Sequence, residues 1–464
     1  MRTRGSEVPG PRLILTFLAA CCLITEAGAD APFTQRADYW VIGTPSSVVS
    51  GDFNHDGLAD VACTLKGLDS IKTFLSDGEG GLVPTWTGPA GLQPNDIAVA
   101  DLDGDGVGDL VIPYGGGGTA GGLTVLRGLS DGRFAAQQTV PLLGMPRCAA
   151  TGDFNEDGMV DVVVGTMMQG WIDVLLNQGA GALFKTSDYF VGEIVPDIVV
   201  GDFDEDGHLD VVAGELGGLN RLFRGSGAGT FSRTTLAIGQ TSGLAVGDFD
   251  ADSHMDLANT QGGYFNTVRS WRGAGDGTFK LVSTTTVNCC PTALDLVDLD
   301  GNGTPDLIAT TGEVSSILFN DGAGVFTNEG TLAQPDAPVT SVGCDLDGDG
   351  VREVITACGF GDSLTVYRRG ATVSVPPIAT LVQMRVAPSP TRAYTRLVIS
   401  GLESDALVAI YDVSGRLMER RMTTAAESGR GVRIPRTGVL AAGLYFVRAR
   451  SGSWTGSTRV VVLP

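Results

Sequence analysis

The sequence predicts an all-β chain, a seven-bladed β-propeller followed by a small C-terminal β-sandwich. Three observations predict it. An Asp-rich nine-residue pattern recurs seven times at spacings of 49, 52, 49, 46, 50 and 47 residues, which marks a repeat architecture. Gly supplies 67 of 464 residues and charged side chains only 18%, a composition of strands and tight turns rather than helices. The Asp-rich loops stop before residue 370, and the remaining stretch has a different character.

At the N-terminus, Arg2, Arg4 and Arg12 accompany the apolar run 13–24 and the small residues Ala27-Gly28-Ala29. These are the parts of a signal peptide over residues 1–29. Leu18-Ala19-Ala20-Cys21 offers a second reading, a lipoprotein box that would anchor Cys21 to lipid. No later apolar run approaches the roughly 18 residues a membrane helix needs, so the mature chain is expected to lack a transmembrane segment and to be secreted or held at the bacterial cell surface. Export permits disulfides. Cys63, Cys148, Cys289, Cys290, Cys344 and Cys358 are irregularly spaced without a CxxC pair, and predict neither a connectivity nor zinc.

Residues 30–370 hold the repeats. The pattern D-x-[DN]-x-[DN]-G-x-x-[DE] begins at Asp52, Asp101, Asp153, Asp202, Asp248, Asp298 and Asp345. A glycine turn ending in an aromatic follows most copies, at Gly179 to Phe184, Gly227 to Phe231, Gly275 to Phe279 and Gly322 to Phe326. Short apolar runs such as 197–200 and 209–213 read as strands, about four per repeat, which matches a propeller blade. The seventh repeat stops at Arg369-Gly370 without its glycine turn, whereas 33–41 reads as the last strand of a repeat placed before the first loop. The N-terminal strand is therefore expected to complete the seventh blade and remove two open sheet edges.

Carboxylates at positions one, three and five of such a loop can converge on one side, with the carbonyl at seven and the acid at nine completing an oxygen cage. Hard oxygen donors in this number suit calcium, and glycine at six permits the sharp turn. The candidate ligands of the first loop are Asp52, Asn54, Asp56, Leu58 and Asp60, and those of the second Asp101, Asp103, Asp105, Val107 and Asp109. The third offers Asp153, Asn155, Asp157, Met159 and Asp161, and the fourth Asp202, Asp204, Asp206, His208 and Asp210. The fifth offers Asp248, Asp250, Asp252, His254 and Asp256, but carries Ser253 in place of glycine and is expected to bind most weakly. The sixth offers Asp298, Asp300, Asn302, Thr304 and Asp306, and the seventh Asp345, Asp347, Asp349, Val351 and the longer Glu353. Up to seven Ca²⁺ are expected; they would carry the formal charge from −22 to about −8, so stability should depend on the metal.

The acidity argues against nucleic-acid partners, since no basic stripe exists to displace phosphate counterions. His55, His208 and His254 all lie in Asp loops, which leaves no histidine for a Ser or Cys triad. Gly115 to Gly118 lacks the Lys-Ser or Lys-Thr of a phosphate loop. No catalytic residue is predicted. Loops remote from the Asp turns are candidates for ligand contact: 113–122 with Tyr114, 167–171, 261–266 with Tyr264 and Phe265, and 288–291. Packing between blades is at least as good an account of these loops, and the better one for Trp171 and Trp271, which lie beside strand-like runs.

Gly51-Asp52-Phe53-Asn54, Gly152-Asp153-Phe154-Asn155, Gly201-Asp202-Phe203-Asp204 and Gly247-Asp248-Phe249-Asp250 make the repeats resemble the FG-GAP or VCBS-type repeat of the integrin α-chain propeller, over about residues 33 to 370. The resemblance implies calcium loops between the inner two strands on one face and ligand contact on the opposite face. After a linker at 371–379, residues 380–464 are similar to a C-terminal sorting domain of the type IX secretion system or a FlgD-type immunoglobulin-like domain. The similarity rests on Ala387-Pro388-Ser389-Pro390, Ile410 to Arg416, Gly443 to Phe446 and Arg459 to Leu463. Ser389 and Arg459 depart from the usual Asn and Lys. This resemblance implies an Ig-like fold and contact with export machinery. The expected function is a calcium-binding adhesion or recognition module with an extracellular protein or glycan ligand. The alternative is a secreted carbohydrate-active enzyme, a polysaccharide lyase or hydrolase whose acids lie outside the seven loops.

Overall fold

The computed structural model describes residues 33–369, apart from 117–119, 219, 262–264 and 333–336, and beyond them the backbone of seven strands between 383 and 462. In the first repeat, Pro45–Gly51, Asp60–Leu65, Ser70–Ser76 and Leu82–Pro89 pair in that order as an antiparallel meander. Five further repeats do the same. Second strands such as Asp161–Thr166 and Glu353–Cys358 are buried along their whole length, because both faces of the sheet are covered by neighbouring blades. Continuous Val, Ile and Ala runs suit that position. Fourth strands such as Leu183–Phe190 are largely exposed.

The seventh sheet takes Pro338–Cys344, Glu353–Cys358 and Ser363–Arg369 from the end of the array and Phe33–Trp40 from its start. Phe33 lies opposite Arg369 and Trp40 opposite Ser363 in antiparallel register. The N-terminal strand thus completes the last blade, as the missing glycine turn predicted. Seven buried apolar clusters then join the blades, each drawn from two consecutive ones. Val163 and Ile172 of the third blade meet Val211 and Phe223 of the fourth. Val61 and Phe74 of the first meet Ile355 and Leu364 of the seventh, and that contact closes the ring. First strands line a central cavity of about 720 Å³ whose wall includes Ser47, Asp96, Arg147, Asp197, Asp295 and Thr340.

Among the described residues the one helical element is the 3-10 turn Lys66–Leu68, and no helix is long and apolar enough to cross a membrane. Cys63, Cys148, Cys344 and Cys358 are free and buried, and Cys289 and Cys290 are also free. Burial pushes the Cys63 and Cys344 thiols up to about 12, the behaviour of inert core residues. Beyond the propeller, Gln383–Pro388, Thr395–Ser400 and Val432–Ile434 form one antiparallel sheet. Leu417–Thr423, Ala406–Asp412, Gly443–Ser451 and Trp454–Val462 form a second. The expected signal peptide and linker, and the side chains on which the expected Ig-like sandwich depends, lie outside the described residues.

Candidate metal centres

Every Asp loop joins the first strand of a blade to the second, at the same end of the sheet. Three hydrogen bonds shape each loop. The N–H at position six donates to the carboxylate at position one, as from Gly57 to Asp52 (3.0 Å) and from Gly158 to Asp153 (2.8 Å). The N–H at seven donates to the side chain at five, as from Val107 to Asp105 and from His208 to Asp206 (both 2.9 Å). The N–H at two donates to the acid at nine, as from Phe53 to Asp60 (3.0 Å) and from Leu346 to Glu353 (2.9 Å). The loop is therefore folded around its carboxylates, with positive φ at position six in all seven and at position four as well, from Glu205 (56°) to Gly104 (76°). The requirement at four is met by glycine in only three loops, Gly104, Gly301 and Gly348, and was not foreseen from the sequence.

The acids at nine are buried, and the six aspartates among them are tied at both ends. Asp161 accepts from Phe154 N (3.0 Å) and from Asn177 N (2.7 Å). Burial pushes Asp60, Asp109, Asp161, Asp210, Asp256 and Asp306 up to about 6 and Glu353 up to about 7. Carboxylate oxygens converge to within 4.8 Å of one another in five loops: Asp101, Asp103 and Asp109; Asp202, Asp204 and Asp206; Asp248, Asp250 and Asp256; Asp298, Asp300 and Asp306; and Asp345, Asp347 and Glu353. In the first and third loops the third-position donor is Asn54 or Asn155, an oxygen ligand of the same reach. Asp202 Oδ1, Asp204 Oδ1 and Asp250 Oδ1 are buried without a hydrogen-bond partner among the described residues. Buried anionic oxygens without donors are costly unless a cation faces them. An all-oxygen set of three or four carboxylates or amides fits a hard divalent ion and excludes a soft one.

The fold holds these loops through their second residue. Phe53, Phe154, Phe203 and Phe249 stack edge-to-face on Phe134, Phe231, Phe279 and Phe326 of the following blade, at 5.3, 5.6, 5.7 and 5.3 Å. The glycine turn that precedes the partner aromatic also donates to the same loop, as from Gly229 N to Phe154 O (2.8 Å) and from Gly277 N to Phe203 O (2.8 Å). Where position two is Leu, the partner changes with it: Leu102 shares a cluster with Leu183, Leu346 with Leu82, and Leu299 with Phe33. One expectation is corrected here. The aromatic that ends the turn Gly179 to Phe184 is expected to fill this slot as in the other turns, but Phe184 is exposed and Leu183 fills it, because the slot faces Leu102 rather than a phenylalanine.

The FG-GAP-like repeat is matched over residues 52–112, 153–213, 202–259, 248–309 and 298–356, together more than half of the chain. The chain belongs to the FG-GAP-like repeat family. No curated protein matches its sequence. Among solved structures, BBS1N in complex with ARL6DN, soaked with lead, aligns at 15% identity over 74% of this chain and 98% of its own, with a TM-score of 0.52. An Agrocybe aegerita lectin that recognises non-reducing terminal N-acetylglucosamine aligns at 16% identity over 67% of this chain and 82% of its own, with a TM-score of 0.41.

Other predicted residues of this FG-GAP propeller separate into packing and surface. Trp171 stacks edge-to-face on Phe190 at 5.4 Å, and Trp271 is buried with its Nε1 donating to Asn259 Oδ1 at 2.8 Å. Phe265 is exposed, as are Met168 and Cys289, while Tyr264 lies outside the described residues. His208 and His254 pair through Nδ1 with Glu156 and Glu205 of the preceding loop, and those side-chain hydrogen bonds raise both imidazoles above the usual range. Sequence reasoning missed Phe360, 80% exposed beside the central cavity. The flanking Cys-Gly-Phe-Gly-Asp hairpin was the available signal.

Proposed function

We propose that the chain is an exported, calcium-binding FG-GAP propeller that recognises an extracellular protein or glycan and does not catalyse a reaction. The observation that carries this reading is the placement of exposed apolar side chains. Leu68, Met168, Phe265 and Phe360 sit on second-to-third-strand hairpins and Leu92 and Leu143 at blade connections, the ends of the sheets opposite the Asp loops. An apolar rim of this kind marks interaction surfaces. The donor set of the Asp loops supports calcium in its structural role. A protein partner has a precedent in BBS1N, which shares the fold and is seen in complex with ARL6DN.

The Arg-flanked apolar run before Ala29 supports export, and residues 380–464 supply the sorting domain that would engage the secretion machinery, leaving the propeller secreted or at the cell surface. The test is an array of glycans and matrix proteins probed with the mature chain, in calcium and in excess chelator. Saturable binding to a defined set, abolished by Phe360→Ser with Met168→Ser, is expected. Binding to no array member, or depolymerisation of an arrayed polysaccharide, would overturn the reading, the latter in favour of a carbohydrate-active enzyme.

A further inference from the structure

One position on the third strand of each blade follows the partner of loop position ten. By register it is Leu75, Arg127, Leu176, Arg224, Arg272, Phe319 and Arg368 in blades one to seven. Its identity tracks the charge of the neighbouring Asp loop. Loops two, four, five and seven carry four carboxylates at positions one, three, five and nine, and each of their blades has arginine here. Loops one, three and six carry three carboxylates and one asparagine, and their blades have Leu75, Leu176 and Phe319. There is no exception.

The contacts give this pattern a mechanism. Arg127 Nε lies 2.7 Å from Asp103 Oδ2 and its Nη2 3.0 Å from Asp105 Oδ2. Arg224 Nη1 lies 2.7 Å from Asp204 Oδ2, and Arg272 pairs with Asp250 Oδ2. In the fourth and fifth loops the other oxygen of that carboxylate, Asp204 Oδ1 or Asp250 Oδ1, is buried and unbonded. Arg368 holds the same register position beside the seventh loop, one residue after Tyr367, the partner of Val354. Where arginine is absent, Asn54 and Asn155 donate Nδ2 to Asp56 and Asp157 Oδ2 at 2.8 and 2.9 Å, which replaces within the loop the bond that Arg127 makes to Asp105.

We propose that these four arginines equalise the metal sites, so that every loop presents a net charge of minus three to its ion. In the second, fourth and fifth loops the guanidinium also engages one oxygen of the third-position carboxylate and leaves the other for the metal. The proposal rests on the calcium reading of the loops. Without compensation, four carboxylates this close repel one another in the metal-free protein and attract a cation more strongly when it arrives. Equal charge lets the six glycine-containing sites fill over one narrow range of calcium, with the Ser253 loop filling last because of its strained turn.

The test compares the parent with R127L/R224L/R272L and with the same variant carrying D103N, D204N and D250N, which gives those loops the charge of the first and third. Each protein is melted in chelator and in graded free calcium. The arginine variant is expected to melt lower in chelator, more so at low salt, and to reach half-maximal stabilisation at about thirtyfold lower calcium, the factor for a divalent ion and one unit charge at roughly 4 Å in water. The asparagines are expected to restore both readouts. An arginine variant indistinguishable from the parent, or asparagines that restore neither readout, would overturn the proposal. A parent whose melting ignores calcium would instead overturn the calcium reading. If the arginine variant does not fold in chelator, competition between chelator and the calcium-loaded protein supplies the affinity comparison.

Discussion

Ser253 sits at φ 73° where the other six loops place glycine at 84–91°, so its side chain carries a conformational cost that glycine avoids. Ser253→Gly is expected to raise stability by about 0.5–1 kcal/mol and to tighten calcium at the fifth loop, read from the denaturant midpoint in saturating calcium. An unchanged or lower midpoint would contradict it. The acids of the inner strands act differently. Asp197 Oδ2 accepts from Leu244 N and Asp295 Oδ2 from Gly343 N, both at 2.8 Å, so each ties its first strand to that of the next blade. Burial pushes both carboxyls up to about 7. A raised carboxyl stabilises the fold below its unfolded value near 4 and loses that contribution as pH rises through about 7. Asp197→Asn with Asp295→Asn keeps the acceptors and removes the titration. Relative to the parent, the variant should gain about 4 kcal/mol between pH 5.5 and 8.5, about 2 for each carboxyl, and a constant difference across that range would contradict the assignment. Nothing in the sequence distinguished these aspartates from the others, because their partners lie 47 and 48 residues away.

At the scale of the element, the loop and the glycine turn were each legible as signatures, since both are local patterns fixed by glycine backbone freedom and alternating acids. Their partnership was not, because Phe249 and Phe326 meet across a blade boundary. The matched substitutions, Phe with Phe and Leu102 with Leu183, appear only once that boundary is closed. Phe249→Ala is expected to cost about 3–5 kcal/mol from cavity formation and to weaken calcium at the fifth loop, whose acid at nine is bonded to Phe249 N at 2.9 Å. Chemical denaturation with and without calcium measures both; a loss under about 1 kcal/mol would show that the stack does not position the loop.

For the whole molecule, the blade count and ring closure followed from the regular spacing and from a terminal repeat lacking its last strand. The apolar rim did not, because single exposed hydrophobics such as Phe360 have no pattern until the hairpins that carry them share one face. A chain beginning after Val41 would leave the outer edge of the third strand of the seventh blade, Ser363–Arg369, open while its other edge stays paired with Glu353–Cys358. It is expected to melt lower than the parent and to self-associate through the open edge, read by light scattering; a monomer of parental stability would argue against closure by that strand. The most direct test of the central claim, that the seven Asp loops are calcium sites on which the propeller's stability depends, is native mass spectrometry of the mature chain across a calcium titration, paired with its melting curve. Six ions filling together, a seventh at the Ser253 loop filling last, and a melting temperature that rises with occupancy are predicted. A chain that retains no calcium and melts identically in chelator would contradict it.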